Sequence, residues 1–115
     1  MDNSFERINP DQVKHDVESI GALLVNGYDD LEKLENTRLK PAISIMDFRK
    51  QLGKLPKDQE IIFYCACPND ATAVSRAEEF SGQGFSNVKV AEGGFDALKS
   101  LGPEWAQGQA SGATG

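Results

Sequence analysis

The segment from residue 61 to residue 80 constrains the fold most strongly. Four consecutive apolar residues, IIFY at 61–64, run directly into CACPND at 65–70, and a helical pattern follows from Ala71 to Phe80. An uninterrupted apolar run of this length is typical of a strand buried on both faces. The segment therefore predicts a central strand that delivers Cys65 into a tight loop at the N-terminus of a helix.

Cys65 is the candidate reactive residue because of where this loop places it. A helix N-terminus has unpaired N–H groups and a partial positive charge. A thiol held there loses its proton more easily, at a pKa of roughly 3.5–7.5 instead of about 8.5. We therefore expect Cys65 to be a thiolate in a cradle of backbone donors.

Apolar runs alternate with helical patterns along the whole chain. Strands are predicted at residues 5–8, 22–25, 42–45, 61–64 and 88–90. Helices are predicted at residues 10–20, 29–34, 47–55, 71–80 and 95–101. This order is typical of an α/β fold with a largely parallel sheet, in which sites form at the carboxyl ends of strands. Cys65 lies at such an end.

The first helix has clear boundary signals. Asn9 is a favourable N-cap, and Pro follows it at the first helical position. Val13, Val17 and Ile20 recur at helical spacing, and Gly21 is expected to end the helix.

Composition limits the functions open to this chain. Its 115 residues suit one compact domain, which we place at residues 1–105, with Trp105 as a final apolar cap. Residues 106–115, made up of Gly, Ala, Gln, Ser and Thr, are predicted to form a disordered tail. The net charge of −6 argues against nucleic acid and anionic membrane surfaces as partners. We find neither a signal peptide nor a membrane helix and expect a cytoplasmic protein.

The two cysteines, Cys65 and Cys67, are too close together to staple distant parts of a fold. With the single histidine, His15, they do not make the four ligands of a structural zinc site. We expect no metal and no organic cofactor. Cys67 is either a small residue that fills the loop or a second thiol that resolves a persulfide or sulfenic acid on Cys65.

Four segments together resemble a single rhodanese-like (sulfurtransferase) domain. They are INPDQV at 8–13, LGKLPKDQEIIFYC at 52–65, GFSNVKV at 84–90 and EGGFDA at 92–97. The resemblance implies a three-layer fold with a central, mainly parallel sheet flanked by helices. It also implies that Cys65 accepts sulfur, and that Ala66, Cys67, Pro68, Asn69, Asp70 and Ala71 form the loop that cradles an anionic persulfide.

The loop departs from that family in one important respect. It lacks the usual arginine, and Asp70 stands near its place. A carboxylate there raises the pKa of the thiol and repels thiosulfate, unless Asp70 instead caps the helix at Ala71. Pro68 removes one amide donor. We do not expect efficient use of thiosulfate with cyanide. Arg38 and Lys40 are either a replacement positive charge or solvated loop residues.

Three hypotheses follow. The first is a sulfurtransferase that takes sulfur from a small sulfane donor onto Cys65 and passes it to a thiol acceptor, with thioredoxin-like proteins as candidate acceptors by analogy. The second is an inactive regulatory or adaptor module with the same fold. The third is a redox sensor in which Cys65 and Cys67 cycle between thiols and an oxidised pair.

Overall fold

The sheet has five strands, and it is described by a computed structural model that covers residues 5–105. The strands are β1 (Phe5–Ile8), β2 (Leu23–Asn26), β3 (Ala42–Ser44), β4 (Ile61–Tyr64) and β5 (Val88–Ala91). Their order is β1-β5-β4-β2-β3, and every pairing within the described residues is parallel. The predicted α/β fold is confirmed, with β4 at the centre of the sheet.

Helices cover both faces of this sheet. They are α1 (Pro10–His15), α2 (Leu31–Asn36), α3 (Ile45–Lys50), α4 (Ala71–Ser81) and α5 (Gly94–Lys99). Ser44 begins α3 by accepting a hydrogen bond from the Asp47 N–H at 3.0 Å. Because of this cap, Ile45 opens the helix instead of ending the strand as the sequence predicted.

The first helix changes its hydrogen bonding halfway along. Asn9 caps it as predicted, since its side chain accepts from the Gln12 N–H at 2.9 Å. Asp16–Ile20 then continues as a π-helical turn that ends at Gly21, with φ of 90°. The wider turn rotates the residues that follow. Ile20, the last residue of this turn, is exposed and does not share the buried face of Val13.

The core on the α3 and α4 side is aromatic. The rings of Phe48, Phe63 and Phe80 lie 5.1–5.8 Å apart between their centroids. Ala73 and Ala77 are fully buried beside them, as the spacing in α4 predicted. These small residues let α4 pack closely on β4, and this fixes where the loop before α4 must lie.

The opposite face contains the predicted apolar cap. Trp105 is buried with Val13 and Leu98, and its indole N–H donates to a Glu18 carboxylate oxygen at 2.9 Å. The predicted disordered tail, residues 106–115, lies outside the described residues. No helix between residues 5 and 105 has the length and apolar character needed to cross a bilayer.

A buried ionic cluster lies at the amino ends of the strands, at the opposite end of the sheet from Cys65. Lys89 of β5 contacts Glu60 at 3.2 Å and Asp16 at 3.8 Å. A hydrogen bond from Glu60 is the main cause that lowers the pKa of Asp16, whereas burial raises the pKa of Glu60. The two carboxyl groups therefore titrate as a coupled pair, in which Glu60 is the weaker acid.

Candidate functional site

Backbone hydrogen bonds fix the loop at the carboxyl end of β4. The Gly27 N–H donates to the Tyr64 carbonyl at 2.9 Å, and the Phe95 N–H donates to the Cys65 carbonyl at the same distance. Gly94 has a positive φ of 57°, and a Cβ there would overlap the Cys65 carbonyl oxygen. The double glycine before α5 thus lets that turn approach the backbone of Cys65.

Cys65 lies where the sequence placed it, but its environment differs from the expectation. The residue is fully buried among core side chains. Burial raises the pKa of its thiol, and the facing amides of Cys67 and Ala73, the latter at 3.4 Å, offset this only in part. The expected low pKa at Cys65 is therefore wrong for this structure, because desolvation outweighs the helix N-terminus.

The loop amides are arranged differently from the expected cradle. Three of them donate to acceptors other than Cys65. These are Ala66 to the Tyr28 hydroxyl at 3.0 Å, Asp70 to the Cys67 carbonyl at 3.0 Å, and Ala71 to the Pro68 carbonyl. In this conformation the donors that reach Cys65 therefore belong to Cys67 and Ala73.

Cys67 has the environment that the sequence led us to expect at Cys65. The residue is partly exposed, and its sulfur lies 3.0 Å from the Tyr28 hydroxyl and 3.1 Å from the Thr72 hydroxyl. Burial alone would raise the pKa of Cys67, but hydrogen bonds from Thr72 and Tyr28 outweigh it and lower that pKa to about 7. Cys67 is thus the more acidic of the two thiols.

Tyr28 was missed as a site residue. It follows β2; its hydroxyl accepts the Ala66 N–H at 3.0 Å and lies 3.0 Å from the Cys67 sulfur, to which it donates when that sulfur is a thiolate. Burial raises the pKa of Tyr28 to about 12, so it stays a donor at neutral pH. The available signal was the position of Tyr28, which lies just beyond the carboxyl end of the strand predicted at residues 22–25.

Asp70 does not cap the helix, so that alternative is wrong. It has a left-handed φ of 57° and makes no side-chain bond to a helix N–H. Its buried carboxylate instead pairs with Arg7 of β1 at 3.1 Å, and Arg7 also lies 3.5 Å from the Asn69 carbonyl. Asn69 is left-handed too, with φ of 58°. Arg7 is therefore the cation that reaches this loop, and sequence reasoning missed it.

The two basic residues considered from the sequence lie elsewhere. Arg38 pairs with Glu35 at 3.2 Å on the surface, and Lys40 is exposed. A third cation, Arg76 of α4, donates to the Gly27 carbonyl at 2.9 Å and pairs with Asp29 at 3.3 Å. Arg76 thus joins α4 to the segment that carries Tyr28.

Comparison with known proteins agrees with the architecture. A family model described as the rhodanese-like domain matches residues 17–101 of this chain. Among curated proteins, none matches the sequence significantly.

Solved structures share the fold at low sequence identity. A rhodanese-like domain of the Anabaena sp. protein Alr3790 is 18% identical, with a TM-score of 0.64 over 100% of this chain and 89% of that one. The Saccharomyces cerevisiae single-domain sulfurtransferase RDL2 is 24% identical, with a TM-score of 0.61 over 89% of this chain and 94% of that one. Reduced Bacillus anthracis CoADR-RHD is 22% identical, with a TM-score of 0.65 over 88% of this chain but only 18% of its own.

Proposed function

Because this chain belongs to the rhodanese-like domain family, we propose that it is a sulfurtransferase that carries a persulfide on Cys65 and passes the sulfur to a thiol acceptor. One observation carries the proposal. Cys65 lies at the carboxyl end of the central strand, and two backbone N–H groups, of Cys67 and Ala73, face its sulfur. Such donors stabilise the negative charge that develops on sulfur during transfer.

The surroundings of Cys65 also suit a persulfide carrier. The site is buried, which protects a persulfide from water and from other thiols in the resting state. The negative charge of Asp70 is matched by Arg7 at 3.1 Å, so it repels an anionic sulfur less than a free carboxylate would. The resemblance in fold to a yeast sulfurtransferase further supports the proposal. A cytoplasmic setting and a thioredoxin-like acceptor stay predictions.

An endpoint measurement tests this function. The protein is incubated to completion with glutathione persulfide, thiosulfate or inorganic polysulfide, and the intact mass is recorded. We expect a gain of one sulfur atom, which peptide fragmentation locates on Cys65 and which a reduced dithiol then removes. Absence of any gain with all donors, or sulfur held only on Cys67, would contradict the proposal.

One observation favours the adaptor module as a second candidate. Cys65 is fully buried and its pKa is raised by that burial, so the resting thiol is both inaccessible and protonated. Under this alternative the protein gains no sulfur from any donor. The redox sensor predicts a different result, the loss of two hydrogens under mild oxidant in a reaction that requires both cysteines.

A further inference from the structure

The two thiols of the loop differ in their access to solvent. Cys65 has no exposed surface, whereas Cys67 is partly exposed. A sulfane donor that approaches from solvent therefore meets Cys67 first. A donor that attacks Cys65 directly requires the loop to open.

The hydrogen bonds around Cys67 suit an attacking sulfur. The Tyr28 and Thr72 hydroxyls lie 3.0 and 3.1 Å from it, and the Thr72 N–H faces it as well. Tyr28 directly follows β2 and Thr72 lies in the first turn of α4. These two elements therefore position all three groups beside Cys67. The Tyr28 oxygen also accepts from Ala66, and its own proton is the one it offers to a Cys67 thiolate. These donors stabilise a thiolate.

The two thiols also belong to one short stretch of backbone. Cys65 and Cys67 are separated by a single residue of the loop, and the Cys67 N–H faces the Cys65 sulfur. A sulfur atom bound to Cys67 can therefore move to Cys65 without being released into solvent.

We propose that Cys67 is a second catalytic residue, the thiol that takes the sulfane sulfur from the donor and hands it to Cys65. This inference rests on the proposed function, since it concerns how sulfur reaches the Cys65 persulfide.

The relay balances without an outside oxidant or reductant. The Cys67 thiolate attacks the outer sulfur of a donor persulfide, a new S–S bond forms, and the donor leaves as a thiolate with the electron pair of its broken S–S bond. The Cys65 sulfur then attacks the outer sulfur on Cys67. The Cys65 proton moves to the departing Cys67 sulfur, which leaves a persulfide on Cys65 and a thiol on Cys67.

Loading rates of cysteine variants test the relay. Wild type, Cys65→Ser, Cys67→Ser and the double variant are mixed with glutathione persulfide at pH 7, quenched at intervals with iodoacetamide and weighed intact. We expect Cys65→Ser to gain one sulfur at the wild-type rate and Cys67→Ser to load at least about tenfold more slowly, because only a few per cent of an ordinary thiol is ionised at pH 7. The double variant should gain nothing.

The outcomes separate the relay from the proposed function. Loading of Cys67→Ser at the wild-type rate, with no gain in Cys65→Ser, would overturn the relay and leave the Cys65 sulfurtransferase in place. Absence of sulfur on the wild-type protein would overturn the proposed function itself.

A variant that keeps both cysteines gives an independent test. Tyr28→Phe removes one hydroxyl from Cys67, so loading should slow by about threefold to tenfold at pH 7 and its pH midpoint should move upward from about 7. Tyr64→Phe is the matched control, since that buried hydroxyl donates to the Thr37 carbonyl on the other face of the sheet. An unchanged midpoint in Tyr28→Phe would contradict the relay.

Discussion

At the scale of single residues, the site depends on neighbours that its motif does not contain. The sulfur of Cys67 owes its low pKa to Tyr28 and Thr72, and the backbone of Cys65 owes its place to Gly94. Each of these contacts joins the loop to a different part of the chain. The chemistry of the two cysteines is therefore set from outside the CACPND segment.

Gly94→Ala should destabilise the protein strongly. Its Cβ would overlap the Cys65 carbonyl oxygen, and the positive φ of 57° adds strain. We expect a loss of about 3 kcal/mol in the free energy of unfolding, measured by urea denaturation. Gly53→Ala is the matched control because its Cβ would meet nothing within 4 Å, and it should change stability by less than about 0.5 kcal/mol. Equal stability of the two variants would contradict this account.

At the scale of elements, ionic contacts hold the sheet to its surroundings at two places, the carboxyl ends and the amino ends of its strands. At the carboxyl ends, Arg7 of β1 pairs with Asp70 in the loop. At the amino ends, Lys89 of β5 pairs with Glu60 and Asp16. Both contacts join segments that are distant in the chain, and each has a buried carboxylate that would be costly to leave alone.

Arg7→Gln should open the loop over Cys65. Two non-glycine residues, Asn69 and Asp70, are held in left-handed conformations there, and losing the cation removes the pairing that stabilises them. In a Cys67→Ser background, we expect iodoacetamide to label Cys65 about tenfold faster. Arg38→Gln, which breaks only a surface pair with Glu35, should leave the rate unchanged. Equal labelling rates in both variants would mean that Arg7 does not close the loop.

The substitution Glu60→Gln should stabilise the protein, relative to wild type, increasingly as the pH rises. The pKa of Glu60 is raised by burial, so its stabilising contribution is present at low pH and is lost as pH rises through the folded pKa. Glutamine keeps a donor toward Asp16 without that loss. Between pH 5 and pH 8 we expect the free energy of unfolding of the variant to rise by about 1 kcal/mol relative to that of wild type. Urea unfolding at each pH measures this difference.

An exposed carboxylate provides the control for that titration. Glu35→Gln removes a surface partner of Arg38, and the difference from wild type should be the same at both pH values. If Glu60→Gln behaved in the same way, the raised pKa of Glu60 would be contradicted.

At the scale of the whole molecule, charge governs which donors approach. The net charge of −6 repels a dianion such as thiosulfate over long range. Raising the salt concentration from about 20 to 200 mM should therefore speed sulfur loading from thiosulfate about threefold and leave loading from zwitterionic cysteamine persulfide nearly unchanged. Both rates are measured by intact-mass spectrometry of samples quenched at successive times. The same salt response for the two donors would show that net charge has no part in selection.

Local sequence patterns predicted the strands, the helices and the fold class, but not the environment of the two thiols. The apolar run at β4 and the cap at Asn9 are signals within a few residues, and both are confirmed. The contact of Tyr28 with Cys67 joins residues 39 positions apart, and that of Arg7 with Asp70 joins residues 63 apart. No local pattern encodes such contacts. The sign of the pKa shift at Cys65 was wrong for the same reason, because burial depends on tertiary packing.

The position of Trp105 gives the molecule an internal optical reporter. It is the only tryptophan in the sequence, it is almost fully buried, and it packs in the apolar cluster that does not contain Cys65. Its fluorescence emission should follow global unfolding and be insensitive to sulfur on the loop. Unlabelled samples of every variant can therefore be checked for folding before their thiol chemistry is measured.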